Sequence, residues 1–150
     1  PSNVDKVQQS EHDIVFVKLK RKLYKPALHL SHRPNFALKP EPIFRSLRMI
    51  SYDEKTDGMK ISPVCSEVRS SNFSNPMLLL HNCKTEAGVS GAAIIETRNN
   101  TIVAIHGGTL IVQRTEGSEK RPLTVAFYRQ ARRINDDTLS TLERYIANLK

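Results

Sequence analysis

Seven apolar runs of four to six residues set the strongest limit on how this chain folds. They lie at 47–52, 59–64, 77–81, 91–96, 101–106, 109–112 and 123–128. Turn-forming sequence separates them at 53–58, 70–76, 98–100, 107–108 and 115–120. Short strands with such punctuation predict an all-β barrel or sandwich. A further run, Asp13-Ile14-Val15-Phe16-Val17-Lys18-Leu19, is rich in β-branched and aromatic residues and also predicts a strand. Pro26, Pro34, Pro40 and Pro42 follow it. Proline lacks a backbone donor and resists both helix and central strand, so residues 21–46 are expected to be an extended connector. Near the C-terminus the period changes. Leu139, Leu142, Ile146 and Leu149 recur at helical spacing behind Asn135, Asp136 and Asp137, which suit a helix N-terminus. One amphipathic helix over 136–149 is predicted, docked on the strands.

Composition narrows the function. The chain of 150 residues suits one compact domain or one lobe of a two-lobed protein. Net charge is +8, and residues 18–48 hold nine Lys or Arg against one Glu. These cations are mixed with prolines and apolar residues and lack an RNA-binding aromatic motif. The pattern therefore reads as a solvated basic face and argues against a nucleic-acid site. No run approaches the roughly 20 apolar residues of a membrane span, and the polar opening residues carry no secretory signal pattern. Cys65 and Cys83 form an even count that permits a disulfide, without the Cys/His clustering of a zinc site; no metal or cofactor is expected. The sequons at Asn72 and Asn99 lie in turn-like sequence and lean towards a secreted chain.

The sharpest chemical signal is Thr85-Glu86-Ala87-Gly88-Val89-Ser90-Gly91-Ala92-Ala93-Ile94-Ile95. A small-residue turn carries a serine and runs directly into a buried strand. Glycines let the backbone fold tightly, so that amide N–H groups converge beside the serine hydroxyl. Taken alone, the segment also fits an ordinary Gly-Ser-Gly turn. Downstream comes strand, turn, strand and Gly107-Gly108; seventy-seven residues upstream stands Asp13 at the head of its apolar run.

In this combination the chain resembles the chymotrypsin-like serine proteases. The resemblance rests on Asp13-Ile-Val-Phe-Val-Lys-Leu19, on Gly88-Val89-Ser90-Gly91, and on a last strand followed by a C-terminal helix. It implies a double β-barrel. Residues 1–20 would give a loop and the last strand of the first barrel, 21–46 the connector, 47–134 the second barrel and 135–150 the helix. It implies that Ser90 attacks the scissile carbonyl of a protein or peptide substrate and that the amides of Gly88 and Ser90 form an oxyanion hole. Asp13 would orient the catalytic histidine. Val89 departs from the family's trypsin-type aspartate, so activation through that residue's salt bridge with a freed N-terminus is not expected. Ala92-Ala93 replaces the usual Gly-Pro.

Thr85 and His106, with Gly107 and Gly108, resemble the primary pocket of glutamyl endopeptidases and picornavirus-type main proteases, which implies Glu or Gln before the scissile bond. His106 on its own also fits a strand end. A bridge between Cys65 and Cys83 would pin the nucleophile loop to a neighbouring strand. In this family the catalytic histidine lies well upstream of the aspartate, where this chain has only twelve residues. His12 is adjacent to Asp13, and neighbouring strand residues point to opposite faces. His29 and His32 lie in the connector, and His81 is expected in a strand leading away. The expectation is a serine endopeptidase whose histidine comes from a separate N-terminal chain of the same precursor, secreted or extracellular. The alternatives are a non-catalytic homologue acting as a binding or regulatory module, and an RNA-binding domain or a viral or intracellular polyprotein-processing domain.

Overall fold

The structure, a computed structural model, describes residues 14–15, 17–21, 29–30, 46–69, 75–114 and 123–148. Asp13 and Asn72 lie outside the described residues, as does residue 149 of the expected helix.

The described chain is mostly antiparallel β-sheet with one C-terminal helix. The strands are β1 (His29–Leu30), β2 (Ser46–Asp53), β3 (Gly58–Ile61), β4 (Cys65–Ser66), β5 (Leu78–His81), β6 (Ala93–Glu96), β7 (Thr101–Arg114) and β8 (Leu123–Arg133); the helix is α1 (Asp136–Ala147). They join in one eight-stranded sheet with the path β3-β2-β6-β7-β8-β5; β4 pairs with β2, and β1 pairs in parallel with β7. The all-β expectation holds. The closed barrel is not formed as a continuous ladder. The two ends of the sheet are linked through the β4 segment by one isolated bridge, Glu67 to His81. Val68 donates to the Leu80 carbonyl (2.8 Å) and Asn82 to that of Ser66 (3.1 Å) on either side of it.

The local reasons are legible in the strands. Along β2, Leu47, Met49 and Ser51 point inward while Ser46, Arg48 and Tyr52 face solvent, the period of two that a half-buried strand requires. Leu47, Leu79 and Ile94 are fully buried and form the core with Met49, Ala104 and Ala131. α1 opens as its sequence predicts. Asn135 is extended (φ −129°), and its side-chain oxygen accepts from the Thr138 amide at 3.0 Å, satisfying an N–H with no helical partner. Only the first half of α1 is held closely: Thr138 is buried, Leu139 and Leu142 are half-buried, and Ile146 is exposed.

Three expectations are corrected. Gly107-Gly108 is not a turn. β7 runs through it as a single strand of 14 residues, with a register shift between His106 and Gly108 that absorbs the extra residue as a bulge. The described part of 13–19 is not a strand. Val15 is 80% exposed and Val17 76%, with Leu19 also exposed, so this apolar run has no sheet neighbour to pair with here. His81 does not lead away from the site; β5 pairs with β8 and carries it inward.

Cys65 and Cys83 lie with their sulfurs 2.05 Å apart, at bonding distance, both within the core. The link closes a loop of 18 residues and ties β4 to the chain leading into Thr85. Replacing both cysteines by serine is expected to cost about 3 kcal/mol; the midpoint of urea unfolding, read with and without reductant, checks it.

Candidate functional site

Ser90 sits exposed in a turn built by its neighbours. Gly88 has φ +88° and Gly91 φ +86°, a backbone region that side-chain-bearing residues rarely adopt. The Ala92 amide donates to the Val89 carbonyl (3.1 Å), closing a four-residue turn with Gly91 at its third position, where a type II turn demands positive φ. Val89 is half-buried and packs against the core, which accounts for an apolar residue beside the serine: it anchors the turn from beneath. Among the described residues, the Gly88 and Ser90 amides have no protein acceptor.

The turn is stitched to β7 at one residue. The Gly91 amide donates to the His106 carbonyl, and the His106 amide donates to that of Ala92, each at 2.8 Å. The Ser90 turn and His106 are thus held together through backbone, as their spacing in the sequence suggested.

The His106 side chain has a partner that the sequence did not reveal. In the ladders His106 pairs with Ala131 and His81 with Arg129. Residues 129 and 131 share one face of β8, so His81, Arg129, Ala131 and His106 all project to the same side. The small, fully buried Ala131 leaves room for the imidazoles of the two flanking strands to meet over it. His81 Nε2 lies 3.1 Å from His106 Nδ1, with the rings edge to face. Both residues are almost wholly buried. His81 Nδ1 has no partner, and a buried N–H without an acceptor is costly. This favours the tautomer in which His81 donates from Nε2 and His106 accepts at Nδ1.

Burial is the largest cause that pushes the His81 imidazole down to about 3, helped by His106 and by the Arg129 cation. Burial also lowers His106; a hydrogen bond to the Gln130 backbone opposes this and the Arg129 charge adds to it. The pair is therefore neutral at pH 7.

Arg129 joins the remaining piece. Its Nε donates to Thr85 Oγ1 at 2.6 Å, so the half-buried guanidinium links Thr85 to the histidine pair. Thr85, Ser90 and His106 are thereby collected around β7 and β8. His81 and Arg129 escaped sequence reasoning because only the register of β5 on β8 makes them neighbours. Of the pocket glycines, Gly107 is exposed and Gly108 has φ +148°, both at the bulge. Asn99 is exposed in the turn before β7, and its Oδ1 accepts from the Thr101 hydroxyl at 2.8 Å.

Among the described residues, no group of three or more His, Cys, Asp or Glu could hold a metal ion, and no helix is long and apolar enough to cross a membrane. Comparison with family models and with curated proteins finds no match.

The histidine pair makes stability depend on pH. Folded His81 takes up its proton only near pH 3, whereas an unfolded histidine takes it up near 6.5. Between these values the unfolded chain binds more protons. The pair's contribution is thus complete above about pH 6.5 and is lost as pH falls towards 3. Urea midpoints measured from pH 7.5 to 4 are expected to fall over this window, by at most about 1.4 kcal/mol per pH unit for each imidazole. His81→Phe should flatten that slope.

Proposed function

We propose that this chain is the nucleophile-bearing part of a serine endopeptidase with a double-barrel, chymotrypsin-like fold, cleaving peptide bonds through an acyl-enzyme on Ser90. The observation that carries the reading is the Ser90 turn. Two left-handed glycines flank an exposed serine, two amides lie beside it without acceptors, and the turn is bonded to β7. Such a turn suits the oxyanion of a tetrahedral intermediate, because its donors are in place before charge develops. Gly88 and Ser90 supply these N–H groups, and Thr85, His106, Gly107 and Gly108 lie towards the side chain that precedes the scissile bond.

The base comes from elsewhere. The two described histidine side chains, His81 and His106, are buried against each other. In this reading a companion N-terminal chain from the same precursor brings the catalytic histidine, and Asp13 orients it. The exposure of Val15, Val17 and Leu19 supports this. These apolar side chains lack cover among the described residues, as a segment that completes a barrel with a companion chain would. The Cys65–Cys83 link is compatible with an oxidising, extracellular setting. The same burial of both histidines favours the second reading, a non-catalytic homologue that binds its partner, wherever no companion chain is present.

Labelling of native material with a fluorophosphonate separates the two. Modification of Ser90 is expected, together with a second polypeptide in the intact mass. Ser90→Ala should lower turnover by about 10⁴-fold or more while leaving thermal unfolding unchanged. Full activity in that variant would remove Ser90 from its role.

A further inference from the structure

β8 carries three arginines, Arg129, Arg132 and Arg133, and their environments differ. Arg133 meets Glu67, and its Nε donates to the Leu78 carbonyl at 2.9 Å. Arg132, almost wholly buried, faces Asp137 at 3.6 Å and donates to the Met77 carbonyl at 3.2 Å. Arg129, half-buried, has no carboxylate among the described residues. Its one hydrogen bond there goes to a neutral hydroxyl, that of Thr85. Among the described residues Arg129 is thus a cation without a counter-charge, placed between Thr85 and the histidine pair.

Its other neighbours reinforce this. The adjacent imidazoles are uncharged and hydrogen bonded to each other, so they offer no negative charge to balance it. The bond to Thr85 engages Nε alone and leaves the two terminal nitrogens of the fork as donors. A fixed, partly desolvated guanidinium of this kind can bond a carboxylate through two parallel hydrogen bonds with both partners charged, whereas an amide offers it a single neutral oxygen acceptor.

We propose that Arg129 sets the side-chain preference of this site, which accepts the carboxylate of a glutamate residue over the isosteric amide of glutamine. The placing of that glutamate before the scissile bond rests on the protease reading; the anion site itself rests on Arg129 and its surroundings. His106, with its ring buried and engaged by His81 and the Gln130 backbone, acts in this arrangement as a positioning residue, and Arg129 supplies the contact.

The test uses the native protein at pH 7, titrated with N-acetylglutamate amide and with N-acetylglutamine amide while the histidine ring signals are followed by NMR. The glutamate probe is expected to shift the His81 and His106 signals and to bind about tenfold or more tightly than the glutamine probe. Arg129→Gln should bring the ratio close to one and raise the pH at which the histidines titrate, since the neighbouring cation is removed. A variant with a merely structural defect would show no such selective loss. Arg129→Lys keeps the charge without the fork; it should retain part of the preference, and it serves if the glutamine variant does not fold. Equal binding of the two probes, or an unchanged ratio in Arg129→Gln, overturns the proposal. Fluorophosphonate labelling of the same samples keeps the two readings apart. Preference with unlabelled Ser90 would uphold the anion site and remove the protease, whereas equal binding with labelled Ser90 would do the reverse.

Discussion

The long β7–β8 ladder is the constraint on which the rest depends. β6 hangs from one side of this pair and β5 from the other, so the register between β7 and β8 decides what the outer strands can present. Because side chains alternate strictly along a strand, pairing His106 with Ala131 commits Arg129 to the same face, and pairing Arg129 with His81 then brings the second imidazole. A one-residue slip would send the whole set to the opposite face. The identity of residue 131 matters as much as the pairing. A larger side chain there would fill the space in which the two rings touch.

The cluster combines costs that the fold offsets elsewhere. Two imidazoles are removed from water and held neutral, with one ring nitrogen left unpaired, beside a guanidinium that has no counter-charge among the described residues. Two of the described positive-φ residues, Gly88 and Gly91, lie in the Ser90 turn, where fixing so free a backbone costs entropy. Against this stand the packing of Val89 on the core, the two backbone hydrogen bonds that fasten Gly91 and Ala92 to His106, and the covalent link from Cys83 to β4. Unfavourable local features held in place by a rigid surrounding are what a preorganised anion site requires.

Much of this fold was legible in the sequence wherever the deciding forces are local. The runs at 47–52, 77–81 and 91–96 declared their strands, since apolar content and adjoining turn residues act within a few residues of each other. Asn135 announced the start of α1 for the same reason, a cap being a contact between residues three apart. Gly107-Gly108 misled because adjacent glycines suit a turn and a bulge equally, and only the opposing strand decides between them. The run at 13–19 has a strand's composition, but pairing needs a neighbour that local sequence does not specify. At the site, Thr85, Ser90 and His106 were singled out through a family resemblance. His81 and Arg129 were not, because the sequence separation of 25 between His81 and His106 is bridged only by the order of strands in the sheet. Whether a sheet closes into a barrel is decided by contacts of the same non-local kind, and this sheet stays open as a ladder.

The bulge in β7 has a consequence for chain length. Pairing passes from His106–Ala131 to Gly108–Gln130 and then to Thr109–Arg129, leaving Gly107 as the supernumerary residue. From Gly108 to Val112 the pairing runs on as though Gly107 were absent, until a second shift before Arg114. A deletion at that point would straighten the strand without re-sorting which residues face Arg129. A chain one residue shorter here would keep the His106–Ala131 and Thr109–Arg129 pairings while losing the local bend and added twist that the bulge gives β7.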